Sequence, residues 1–206
     1  MRRLVVIPLA LAALVIAAVP ALAHVPYIET GDYSESRPFG VQPPVDKSIA
    51  AYAWFQTGAD IDVYRFQVTG PTRVFAQAIV PVCPGYENLR PWFALVGPGL
   101  PAPTYAIPFV LRQGYGAIVV PNLPGEPRRQ FYEPFGGKSY YDGPALNMDV
   151  STPGTWYIYM WDPYNHGGDY VGVIGDKEIW KLPDILRALM VTPIIRRDGE
   201  LHTACP

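Results

Sequence analysis

From residue 49 onward the chain alternates short apolar runs with turn residues. Runs rich in β-branched and aromatic side chains cover 49–57, 62–69, 72–82, 92–96, 115–120, 145–150, 155–161 and 169–174, and Gly, Pro, Asn or Asp closes nearly every one. Along Tyr64-Arg65-Phe66-Gln67-Val68-Thr69 the alternation is strict: Tyr64, Phe66 and Val68 point to one face, and Arg65, Gln67 and Thr69 to the other. This predicts a half-buried strand of an antiparallel sheet. Trp156-Tyr157-Ile158-Tyr159-Met160-Trp161 is apolar or aromatic on both faces, so it predicts a central strand covered on each side. Only 183–190 has helical spacing, with Ile185, Leu186, Leu189 and Met190 on one stripe and Pro183 tolerated in the first turn. That stripe is expected to pack onto the sheets, because the polar face lacks the Lys/Arg cluster of a membrane-surface helix. Many short strands and one short C-terminal helix predict an all-β sandwich or barrel.

The segments flanking these runs are irregular in pattern. Residues 24–48 are rich in Pro, Gly and Ser without a sustained period and predict an arm laid over the body. Residues 100–144 carry the densest later Pro and Gly and predict an insertion into the 49–175 body, with 176–206 forming the helix and tail. The leader is clearer. Arg2 and Arg3 precede an apolar run that ends on Ala21-Leu22-Ala23, the charged, apolar and small-x-small order of a secretory signal peptide. Cleavage after Ala23 would make His24 the first residue, leave no transmembrane segment, and place the protein in the cell envelope or outside the cell.

Composition narrows the function classes. With 50% hydrophobic and 17% charged residues the chain is too apolar for disorder. Its 16 basic and 18 acidic side chains, 14 and 18 after loss of the leader arginines, create no overall field of the kind that draws a protein to nucleic acid or to an anionic membrane surface. In an oxidising compartment Cys83 and Cys205, the only two cysteines, are natural partners for a disulfide. It would close a loop of roughly 120 residues and contribute on the order of 4 kcal/mol; two separate thiols are the alternative.

Four segments resemble a known family. Asp60-Ile61-Asp62-Val63-Tyr64-Arg65-Phe66-Gln67-Val68 has the D-x-D-x-Y-x-F-x-V form that opens bacterial pre-peptidase C-terminal-like domains. Phe93-Ala94-Leu95-Val96-Gly97-Pro98-Gly99 resembles their middle strand and turn, and Pro153-Gly154-Thr155-Trp156-Tyr157-Ile158 their P-G-T-Y-Y-I strand. Gly168-Asp169-Tyr170-Val171-Gly172-Val173 is similar to their closing strand. The resemblance spans about 49–174 and implies an antiparallel, jelly-roll-like β-sandwich that serves secreted peptidases as a binding or processing module, with no catalytic residues. The stretch from Glu133 to Tyr141 has no counterpart in the pattern.

Candidate chemistry is sparse. Gly136-Gly137-Lys138-Ser139 is not a phosphate loop, since Tyr132 stands where the first Gly is needed. No G-x-S-x-G or H-E-x-x-H motif is present and the chain has three His, so a non-enzyme is expected. A mature terminal amine with the His24 imidazole would suit copper(II), with His166 or His202 completing the set. Calcium is the other candidate metal, through Asp60 and Asp62 before one strand and Asp162, Asn165 and Asp169 around another. The same residue types cap turns through backbone hydrogen bonds, and that role is expected of most of them. Tyr132, Tyr140 and Tyr141, with Lys138, are expected at the surface of the insertion as a binding face for a cell-surface protein or carbohydrate, with the 161–169 loop beside it.

Overall fold

A computed structural model describes residues 24–57, 59–202 and 205; the segment read as a signal peptide lies outside them. Among the described residues twelve strands and one helix follow in order: β1 (Val25–Ile28), β2 (Phe39–Gly40), β3 (Ile49–Phe55), β4 (Ile61–Val68), β5 (Thr72–Pro81), β6 (Trp92–Pro98), β7 (Tyr115–Val120), β8 (Gln130–Glu133), β9 (Lys138–Tyr141), β10 (Ala145–Val150), β11 (Gly154–Trp161), β12 (Gly168–Ile174) and α1 (Leu182–Ile195). All eight runs named from the pattern are strands, with boundaries shifted by two residues at most.

The strands form a sandwich. One sheet runs β1-β3-β12-β5-β9-β8, with β10 also on β5, and the other runs β2-β4-β11-β6-β7. Tyr64, Phe66, Phe93, Leu95, Trp156, Ile158 and Met160 of the second sheet meet Ala51, Phe55, Val74, Ala76, Tyr170 and Ile174 of the first, and all are buried. Trp156 lies flat on Gly97, where an added Cβ would stand 2.1 Å from its ring, so only glycine admits the indole there. Both sheets are mixed: β1 pairs with β3, and β2 with β4, in parallel.

Three expectations need correction. Residues 24–48 are not merely irregular: they supply the edge strand of each sheet, and Val25, Val41 and Val45 are buried. Strands of four and two residues are too short to show a period, so backbone pairing and not side-chain pattern defines them. Residues 100–144 are likewise woven into the sheets beyond the 115–120 run, which is the edge strand β7: they add the β8–β9 hairpin, which the pattern did not predict. The apolar stripe of α1, finally, does not pack onto the sheets: Ile185, Leu186, Leu189 and Met190 are exposed, and the helix meets the sandwich by its Asp184, Ala188 and Ile195 side. The second face of β11 is covered by the loop before β7: Ile107, Phe109 and Leu111 pack on Val63, Tyr157, Tyr159 and Trp161, and the Phe109 ring stacks on Tyr159 at 3.9 Å. Replacing half-buried Phe109 with Ala should cost about 2 kcal/mol, read as a lower urea midpoint with unchanged slope. A change within 0.5 kcal/mol would mean the loop is not a structural cover.

Cys83 and Cys205 form the expected disulfide, with Cα atoms 5.0 Å apart, and anchor the tail beside buried Tyr86 and Leu89.

Candidate functional site

The chain leaves the first sheet at the end of β1 and enters the second at β2, and the crossing segment lies against the start of β4. Glu29 and Asp32 are on this crossover and Asp62 is in β4. One carboxylate oxygen of each of the three lies within 4.8 Å of those of the other two. Among the described residues this is the one group of three or more His, Cys, Asp or Glu side chains gathered so closely.

Each acid is held by its surroundings. The Glu29 carboxylate accepts the Tyr33 backbone N–H at Oε1 and that of Trp54 at Oε2, both at 3.0 Å. The Tyr33 carbonyl in turn accepts the Val63 N–H at 2.6 Å, fastening the crossover to β4. The rings of Tyr27, Tyr33, Phe39 and Tyr64 pack edge to face alongside. Asp62 is fully buried, and its Oδ2 accepts the Tyr170 hydroxyl at 2.7 Å, itself 3.0 Å from the Tyr64 hydroxyl. Asp62 Oδ1 and Asp32 Oδ1 are buried and accept no hydrogen bond. A buried oxygen left bare costs on the order of 1–3 kcal/mol, a cost that a proton kept on one of the acids or a bound cation would relieve.

Electrostatics point the same way. Burial pushes the Glu29 carboxyl up to about 7, with the Trp54 and Tyr33 amides opposing and Asp32 and Asp60 adding to the rise. Burial, then the charge of Glu29, pushes Asp62 up to about 8 despite its bond from Tyr170. Asp32 is raised as well, by burial and by Asp60, with Arg37 opposing. Three carboxylates this close and this poorly hydrated cannot all ionise near neutral pH unless a cation joins them.

The residues named from the sequence are placed as follows. Of the pair before β4, Asp62 is in the cluster, whereas Asp60 caps a turn by accepting the N–H groups of Gln56 and Ile61 at 2.8 Å. Asp162 is also a turn cap, accepting the N–H groups of Tyr164, His166 and Gly167, and Asn165 takes the left-handed conformation in that turn. Asp169 accepts the Tyr86 hydroxyl at 2.6 Å and is engaged by His202 through both its backbone N–H and Nδ1. The His202 ring stacks on Trp54 at 4.1 Å, and His166 sits beside Asp162. His24 turns its Nδ1 to the Ser48 hydroxyl, and burial lowers its pKa. The three histidines thus lie in three different settings, each with its own partner.

The tyrosines of the insertion divide in a way the sequence did not foretell. Tyr132 is 63% exposed, but Tyr140 is 1% exposed, packed with Tyr52 and Ile195 in the cluster on the outer side of the first sheet. Tyr141 is half-buried beneath the Arg128 guanidinium, which lies 4.2 Å from its ring centre. Along β9 the side chains alternate, so neighbouring tyrosines cannot both face solvent when one side of the strand is packed. Lys138 is paired with Asp198 at 2.6 Å and with Glu200. The Gly136-Gly137 pair forms the tight turn of the β8–β9 hairpin. Under that hairpin lies a cavity of about 60 Å³ lined by Tyr52, Phe131 and Tyr140, too small for a sugar ring. Tyr132 and Phe131 also line an open groove of about 360 Å³.

No protein-family model matches the chain, and no curated protein matches it. Among solved structures, the pre-peptidase C-terminal domain of collagenase from Bacillus anthracis is similar to it, with a TM-score of 0.35 and 13% sequence identity over 66% of this chain and 91% of that one. The fold assigned here stands on the strand pairing itself.

Proposed function

We propose that this chain is an exported, non-catalytic accessory module, a β-sandwich whose N-terminal crossover is locked by a hard divalent cation held by Glu29, Asp32 and Asp62. One observation carries the reading: Asp62 Oδ1 is buried in a cluster of three carboxylates and has no hydrogen-bond partner. An all-oxygen donor set selects a hard ion. Calcium suits it better than magnesium, because calcium takes six to eight oxygens in adaptable geometry while magnesium holds to its waters. The ion would join an arm bound to one sheet to a strand of the other, so its effect is to stiffen the module.

Export is supported by the signal-like leader and by the disulfide, which persists in oxidising compartments. A protein or carbohydrate partner would meet the module at exposed Tyr132; Tyr132→Ala should leave the melting temperature unchanged while weakening that contact. The test of the cation is isothermal titration of the EDTA-stripped protein with calcium chloride. The reading expects one equivalent to bind and Asp62→Asn to abolish binding. Absence of binding to the wild type, or an undiminished isotherm in the variant, would overturn it.

A further inference from the structure

The helix α1 shows its apolar stripe to solvent, not to the core. Asp184, Ala188, Val191 and Ile195 recur at steps of three and four and face the sandwich. Leu182, Ile185, Leu186, Leu189, Met190 and Ile194 fill the opposite half-turn, and all are 43–69% exposed. No charged side chain stands among them. A helix that is apolar all round is stable only when covered all round, and a contiguous patch of this size marks an interaction surface.

The polar face of the helix carries no Lys/Arg cluster, and the cations stand instead at the two ends of the apolar patch and at its flank. Lys181 precedes the helix, Arg196 and Arg197 follow it, and Arg187 lies at its flank over the Tyr27 ring at 4.3 Å. The single acid of the helix, Asp184, is buried against Lys47 at 2.6 Å. Of the nearby acids, Asp198 and Glu200 are bridged to Lys138, while Asp176 and Glu178 line the separate groove beside His24. A second copy is a poor cover: antiparallel helices would set Lys181 against Arg196 and Arg197, and parallel helices would set like against like. At 14 residues the helix is too short to span a bilayer.

We infer that the exposed face of α1 docks the protein on an anionic lipid surface, with the six apolar side chains entering the acyl boundary and Lys181 and Arg197 meeting the headgroups, while Arg196 is held by the Phe135 and Pro134 carbonyls. This goes beyond the cation site, which it neither uses nor requires.

The probe is a set of sedimenting vesicles of one part phosphatidylglycerol to three parts phosphatidylcholine, compared with pure phosphatidylcholine. The full secreted chain should partition onto the anionic vesicles, and raising the salt should weaken it. Leu186→Glu with Leu189→Glu, both at exposed positions, should reduce partitioning by about tenfold or more while leaving the melting temperature unchanged. Arg197→Gln should reduce it less, and only on the anionic vesicles. Failure of the wild type to bind anionic vesicles would overturn the inference, as would equal binding by the double variant. So would a dimer in sedimentation velocity that the double variant dissolves, since the cover would then be a second copy.

Discussion

At pH 8, 1 mM calcium should raise the melting temperature of the EDTA-treated protein by about 5–10 °C. An ion at a hundred times its dissociation constant stabilises by about 2.7 kcal/mol, and a chain of this length gains about 2–4 °C per kcal/mol. The effect should depend on pH in a fixed direction. In the cation-free fold Glu29 and Asp62 are raised to about 7 and about 8 from ordinary values of 4.5 and 3.8. Protons therefore favour the fold: the stability contributed by the two neutral acids is complete below about pH 4 and is lost as the pH rises through 7 and then 8. Calcium takes over from those protons, so its increment should be small at pH 5 and largest above pH 8. Asp62→Asn gives a sharper version. The amide keeps the volume and the Tyr170 contact but removes the buried charge, so the variant should be more stable than the cation-free wild type at pH 8 and indifferent to calcium. A variant that is destabilised and still responds to calcium would show that Asp62 is not a ligand.

The second large effect is that of the disulfide. Replacing Cys83 and Cys205 together with Ser should remove about 4 kcal/mol and lower the melting temperature by about 10 °C. The bridge joins residues 122 apart, and the tail it retains carries His202 onto Trp54 and Asp169. Its removal should thus also free the indole of Trp54, visible as a shift in tryptophan fluorescence under native conditions. A double variant within 1 kcal/mol of the wild type would mean that packing of Leu201 and His202 holds the tail without the bond.

Much of the fold is legible in the chain because sheets with one packed face write their period into the sequence. Tyr64, Phe66 and Val68 announce the inner face of β4, and Trp156 to Trp161 announce a strand covered twice. What covers that strand is not written in any period: Ile107, Phe109 and Leu111 sit among prolines, and only the folded loop brings them over Tyr159. The helix shows the opposite limit. Its stripe is evident, but periodicity gives the angle between apolar side chains and not the direction in which they face. Here Asp184 turns inward because Lys47 neutralises it, and the leucines turn outward.

The candidate site was half visible. Asp62 stands in a motif that invites a cation, yet Asp60 beside it is a turn cap, and the same chemistry explains why Asp162 and Asp169 are spent on backbone amides, Tyr86 and His202. Glu29 and Asp32 lie in an arm without pattern, about thirty residues from Asp62. Their only local signal is a pair of acids spaced across a Thr-Gly turn at the end of a short apolar run. The pairing of β1 with β3 in one sheet and of β2 with β4 in the other strings the crossover between them and sets both acids against the start of β4, and no spacing rule reaches across that distance.

The central claim is the position of the cation, and anomalous diffraction from crystals soaked in terbium, a hard-ion substitute for calcium, locates it directly. The account predicts a single strong peak bounded by carboxylate oxygens of Glu29, Asp32 and Asp62, and none in crystals of Asp62→Asn. A peak at the 161–169 loop or at His24, with the Glu29 cluster bare, would contradict it.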